Sequence, residues 1–89
     1  MNIEPGVYRH YKGELYVVLG VARHHETGIQ YVVYHPIKPH GEEKRLRVNI
    51  RPVTPQPNDP DSWTTEIPPG PMTRDKKPRQ RFTFLYPLG

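Results

Sequence analysis

From Val7 to His35 the chain reads VYRHY-KG-ELYVVLGVAR-HHETG-IQYVVYH: three runs rich in β-branched and aromatic residues, separated by two connections that contain glycine. Runs of this kind favour extended backbone, and polar connections with glycine favour tight reversals, so the stretch predicts a meander of three antiparallel strands. The middle run carries Leu15, Tyr16, Val17, Val18, Leu19 and Val21, apolar on both parities, which predicts a strand covered on both faces. Gly20 inside it predicts a bulge or bend, and Gly28 suits a turn that needs positive φ.

The connections imply a register. With Lys12-Gly13 as a two-residue turn, Tyr11 pairs with Glu14, His10 with Leu15 and Tyr8 with Val17. With His24 to Gly28 as the second turn, Arg23 faces Ile29 and Val17 faces His35. One face then holds Tyr8, His10, Leu15, Val17, Leu19, Val21, Tyr31, Val33 and His35. The other holds Arg9, Tyr11, Tyr16, Val18, Val32 and Tyr34. The first is the more aliphatic and is the expected core, with Leu19 near its centre. A bulge at Gly20 would exchange the faces beyond it.

Outward from the meander, Met1 to Gly6 is a lead-in and Pro36 to Glu43 a loop. Lys44 to Arg51 alternates, with Leu46, Val48 and Ile50 on an expected buried side and Arg45, Arg47, Asn49 and Arg51 on a basic outer side. Residues 54–73 form a proline-rich loop, unsuited to helix or interior strand. Its tryptophan, Trp63, is expected to anchor it on the core. Arg81 to Tyr86 is a closing strand with Phe82, Phe84 and Tyr86 on one face. No amphipathic helix signal exceeds a turn. The chain therefore predicts an all-β fold, a small, partly open barrel of about five antiparallel strands.

At 89 residues the chain is expected to be a single domain, 1–89, with a modest core. It contains no cysteine, which excludes disulfides and thiolate metal sites and fits a reducing compartment. It shows no signal-peptide pattern and no apolar run of membrane-spanning length, so a soluble cytoplasmic protein without membrane contact is expected. The net charge of +4 is local. Residues 1–73 carry eight basic and eight acidic side chains, while Arg74 to Arg81 carries five basic and one acidic. The basic character belongs to one short segment rather than to the whole surface.

The motifs Tyr8-Arg9-His10-Tyr11-Lys12-Gly13, Val18-x-Gly20-x-Ala22-Arg23-His24-x-Glu26-Thr27 and Val32-Val33-Tyr34 resemble the pattern of a bacterial family, domain of unknown function 1653. Arg51-Pro52 and Pro78-Arg79-x-Arg81-Phe82 match two further segments of that pattern. In the family a tryptophan usually precedes the first of these, where this chain has Asn49-Ile50, and a proline-rich loop stands here in place of an acidic, aromatic segment. The resemblance implies an SH3-like fold and brings no activity with it.

The residues show no reaction. The one serine, Ser62, has no adjacent base and reads as a turn residue, and no phosphate loop or dinucleotide fingerprint occurs. His24, His25 and Glu26 are adjacent, so successive side chains diverge and a shared metal is not expected. No cofactor is implied. Two groups point instead to binding. Arg9, Tyr11, Tyr16 and Tyr34 share a face in the proposed register and would offer rings and charge to a base or a peptide proline. Arg23, His24, Glu26 and Thr27 crowd one turn with more polar chemistry than a turn requires. The chain is thus read as a small binding or accessory module for a protein or small ligand. The alternative is weak nucleic-acid binding through the aromatic face and the basic 74–81 segment.

Overall fold

The computed structural model describes residues 2–38, 47–69 and 78–88. Five strands form one antiparallel sheet: β1 (Gly6–His10), β2 (Leu15–Arg23), β3 (Gln30–Pro36), β4 (Asn49–Pro52) and β5 (Phe82–Pro87). Their order is β4-β3-β2-β1-β5, so the last two elements of the chain occupy opposite edges. β4 and β5 do not pair, and the sheet is not closed into a barrel. Among the described residues there is no helix.

The first hairpin differs from expectation by one residue. The His10 amide donates to the Glu14 carbonyl and the Gly13 amide to the His10 carbonyl, both at 2.7 Å. The loop is therefore Tyr11-Lys12-Gly13, with Gly13 at φ 103°. Tyr8 then pairs with Tyr16, and Arg9 with Leu15. A one-residue slip moves every side chain of a strand to the other face. In the second hairpin Val17 faces His35 as expected, and the register shifts between Val18 and Gly20. Leu19 is the extra residue of that bulge, and Arg23 consequently faces Gln30 rather than Ile29.

The expected core face is corrected accordingly. The buried cluster is Tyr8, Val18, Val32, Tyr34, Val53, Trp63 and Phe82, with Ile3 and Tyr16 packed against it. This is the face that carries Tyr16, Val18, Val32 and Tyr34, the one expected to look outward. Leu19, expected at the centre, is 48% exposed. The physical reason lies outside the meander: Trp63 and Phe82 cover the aromatic face, and only rings of that size fill the space between sheet and loop.

The alternation of residues 44–51 also resolves differently. Residues 44–46 lie outside the described residues. Of the rest, only Asn49–Pro52 is strand, and Ile50, expected inward, is 63% exposed. Arg51 pairs with Val32 and shares its inner face. A cation is tolerated there because a carboxylate meets it. In β5, Phe82 and Phe84 lie opposite His10 and Tyr8 on the inner side. A register shift between Val7 and Tyr8 sets Tyr86 opposite Val7 on the outer side. β5 approaches β1 closely because Gly6 has no side chain: a Cβ there would lie 2.5 Å from the Tyr86 carbonyl oxygen.

Trp63 anchors its loop as expected. It is 6% exposed and stacks on Phe82 at 3.6 Å between centroids with 2° between planes. Its amide donates to the Pro52 carbonyl at 2.7 Å. The segment from Val53 to Ile67 is thus a strap laid over the inner face, leaving β4 at one edge. At its far end it exchanges two backbone bonds of 2.8 Å between Ile67 and Arg79, shortly before β5 at the other edge.

Candidate functional site

The strap brings Asp61 between two arginines. The Arg51 Nη1 donates to the Asp61 carbonyl at 3.0 Å and lies 3.2 Å from Oδ2. The Arg81 Nη2 donates to Oδ1 of the same carboxylate. The guanidinium-bearing side chains are 24% and 12% exposed, whereas Asp61 is 56% exposed. Burial works against the charge of Arg51, but Tyr34 and Asp61 outweigh it and raise its pKa. The Nε atoms of both arginines are buried and, among the described residues, have no hydrogen-bond partner. Arg51 also lies over the Phe82 ring, 5.9 Å from its centroid.

Titratable rings border this cluster. His10 packs edge-on against Phe82 at 5.1 Å, and its Nδ1 accepts the Lys12 amide at 3.2 Å. Burial lowers its pKa; Arg81, Arg51 and Lys12 add to that, and Glu14 opposes it. The Tyr16 hydroxyl donates to Glu14 Oε2 at 2.7 Å. Burial, and then that bond, push its pKa up.

Trp63 and Phe82 also line a cleft of about 380 Å³. Tyr8, Trp63, Phe82 and Phe84 are among the residues that line it, and Arg81 and Glu66 bring opposite charges to it. Tyr8 meets Trp63 and Phe84 edge-on at 5.5 and 5.3 Å. The Tyr8 hydroxyl donates to the Glu4 carbonyl at 2.7 Å, which ties the N-terminal lead-in to the cleft's edge.

The residues expected to form an aromatic platform are not brought together. Tyr34 is buried in the core and Tyr16 packs against it, whereas Arg9 lies on the opposite face. Tyr11 leaves the ladder in the first loop, where Lys12 Nζ and Arg79 Cζ lie 5.8 and 5.6 Å from its ring centroid. Of the basic 74–81 segment, residues 74–77 lie outside the described residues.

The Arg23–Thr27 turn is organised by His24. Its Nδ1 accepts the amides of Glu26 and Thr27, each at 3.3 Å, and its carbonyl accepts the Gly28 amide at 2.9 Å. The Thr27 hydroxyl accepts the Ile29 amide at 3.2 Å, and Gly28 takes φ 76°. His25 stacks on His24 at 5.5 Å and reaches Glu26 at 3.6 Å. Thr27 lines a second cleft, of about 320 Å³, with Gly28, Ile29, Gln30, Val53, Thr54 and Gln56. Arg23, His24 and Glu26 do not line it. Among the described residues no three His, Asp or Glu side chains are grouped to hold a metal ion. Ser62 is fully buried, its hydroxyl 2.8 Å from that of Thr65.

The sequence reading missed Arg51, Asp61, Arg81 and the Trp63–Phe82 stack as a unit. The one local signal was an aspartate two residues before the chain's single tryptophan. The pairing itself depends on contacts across the strap.

An open antiparallel sheet, strapped across one face and with an aromatic cleft under the strap, defines a small all-β domain. The chain belongs to the DUF1653 family, described as a protein of unknown function, whose pattern matches residues 6–55. The chain is also similar to a DUF1653 protein from Bordetella bronchiseptica of known crystal structure. That likeness has a TM-score of 0.62 and 28% sequence identity, and covers 98% of this chain and 92% of that one. It extends beyond the family pattern to the part of the chain that holds Asp61 and Arg81. No curated protein matches the chain.

Proposed function

We propose that the domain is a small binding module that takes a protein segment or small ligand in the cleft beside Trp63. The observation that carries this reading is the cleft's composition: four aromatic residues in its lining, with Arg81 and Glu66 beside them. Sites of this kind bind an apolar group by area and orient it through a few polar contacts. The Arg81 guanidinium is already held by Asp61, so it meets a ligand pre-oriented. The SH3-like character expected of the family and a cytoplasmic location belong to the same proposal.

Trp63 is the chain's one tryptophan and lines the cleft, so its emission reports on occupancy. A fragment and short-peptide screen by amide and indole NMR shifts, followed by Trp63 fluorescence, tests the reading. Shifts should gather on the Trp63 indole, Phe84, Gln80 and Thr64. Hits that leave these signals unmoved and gather elsewhere would reject the cleft as the site.

A further inference from the structure

We infer a second binding surface, for single-stranded nucleic acid, at the end of the sheet where Tyr11 emerges beside Lys12 and Arg79. It goes beyond the Trp63 cleft and shares none of the cleft's lining residues. The three-residue first loop puts Tyr11 outside the ladder and leaves its ring partly exposed. The Tyr11 amide donates to the Arg81 carbonyl at 2.8 Å, fixing the loop against the start of β5. Arg79 is fixed in turn by its two backbone bonds to Ile67. Ring and guanidinium therefore stand on set backbone rather than on fluctuating ends.

The chemistry is that of a base-stacking platform with phosphate contacts. Lys12 and Arg79 are exposed and lie over the ring, 5.8 and 5.6 Å from its centroid, so a stacking base takes the place of one of these cations, which then meets a neighbouring phosphate. Among the described residues no carboxylate pairs with either of them. The His10 ring meets the Tyr11 ring at 4.5 Å with the planes tilted by 41°. A base stacks on a π face, and phosphates take the neighbouring cations, without sequence preference. A duplex keeps its base faces inside the stack, so it satisfies the cations and leaves the ring unused.

The test is fluorescence anisotropy of the full chain with labelled single-stranded DNA and RNA of about 15 nucleotides, and with a hairpin duplex, over a range of salt. The expected result is single-strand binding that weakens steeply with salt and exceeds duplex binding. Tyr11→Ala should weaken it about 5- to 100-fold, the loss of one stacked base, while Tyr11→Phe keeps it. Lys12→Gln and Arg79→Gln should each reduce the slope of log affinity on log salt by about 0.7. Trp63 emission checks the fold of each variant. Should Tyr11→Ala fail to fold, Tyr11→Leu removes the π face and keeps the apolar bulk. Absence of binding at low salt would overturn the proposal. So would equal affinity for the duplex, or an unchanged affinity when the ring is removed. None of these outcomes bears on the Trp63 cleft, which is read by a different signal.

Discussion

Arg51 and Arg81 come from opposite edges of the sheet and meet on one carboxylate, that of Asp61. Backbone pairing leaves the sheet open, since β4 and β5 do not bond. Side chains join its edges instead: Arg51 on β4 and Arg81 just before β5 hold the strap between them. The Trp63–Phe82 stack lies directly under this bridge. Charge pairing and ring stacking therefore depend on the same strap geometry, and the cleft exists only while the strap is in place.

Asp61→Asn should destabilise the domain by about 1–3 kcal/mol, because two largely buried guanidiniums lose their anion. The loss stays below that of a fully buried pair because Asp61 itself is more than half exposed. Asp59→Asn, two residues away on the same strap and exposed, should stay within about 0.5 kcal/mol of the parent. Urea denaturation of both variants checks this. Equal values would mean that the bridge contributes nothing.

Val18→Ala and Leu19→Ala should differ in the order opposite to side-chain size. Val18 has no exposed surface, and losing two methyl groups there leaves a void, so about 2 kcal/mol is expected. Leu19 sits in the bulge with nearly half its surface in water, and its truncation should cost about 1 kcal/mol or less. Thermal or chemical unfolding of the two variants distinguishes them; a larger loss at Leu19 would contradict the observed register.

That pair shows where the sequence was legible and where it was not. Strand existence followed from local composition, and so did the Gly20 bulge, Gly28 and the Trp63 anchor. Which face is buried did not, because it turns on Trp63 and Phe82, which lie outside the meander; and which face of β1 joins it turns on whether the first loop contains Lys12-Gly13 or also Tyr11. Both options suit a glycine-ended turn, and they differ by one residue in a period-two pattern. The inward Arg51 was hidden for a related reason. Alternation assigns a charged residue outward, and only the distant Asp61 makes the inward position tolerable. The candidate site was less legible still. Of its parts only Trp63, with Asp61 two residues before it, carries a local signal, and the cleft's other lining residues come from elements far apart in sequence.

Acidification should weaken the fold through His10. Folding lowers its pKa below the ordinary 6.5, chiefly by burial. The unfolded chain therefore takes up the proton first as the pH falls. The stabilising contribution is complete above about pH 6.5 and is lost as the pH drops from there through the lowered folded value. His10→Gln removes the titration, so its melting temperature should fall less than the parent's between neutral and mildly acid pH. A proton NMR titration of the His10 ring should give a midpoint below the ordinary value. Parallel melting profiles for parent and variant would refute the assignment.

In the turn at Arg23–Thr27 one histidine takes the place of a capping side chain. His24 Nδ1 accepts two successive backbone amides, those of Glu26 and Thr27, so the ring proton of its neutral form sits on Nε2. Aspartate and asparagine commonly satisfy turn amides in this way, and here an imidazole does so. The Glu26 side chain by contrast is highly exposed and, among the described residues, meets only His25, at 3.6 Å. His24→Ala should therefore lower stability by about 1 kcal/mol, the usual loss for a removed cap. His24→Asn, whose side-chain oxygen reaches the same amides, should recover most of it. Glu26→Gln should stay within about 0.5 kcal/mol of the parent. Thr27→Val should cost about 1 kcal/mol, because it removes the hydroxyl that accepts the Ile29 amide. This pattern, with two sensitive positions flanking an insensitive one, marks a turn shaped by its own side chains. If His24→Ala leaves unfolding unchanged, the histidine is not needed by the turn, and its exposed ring becomes available to a ligand. The cleft beside Thr27 would then be the place to look for that ligand, with His24 and Glu26 tested again by binding rather than by stability.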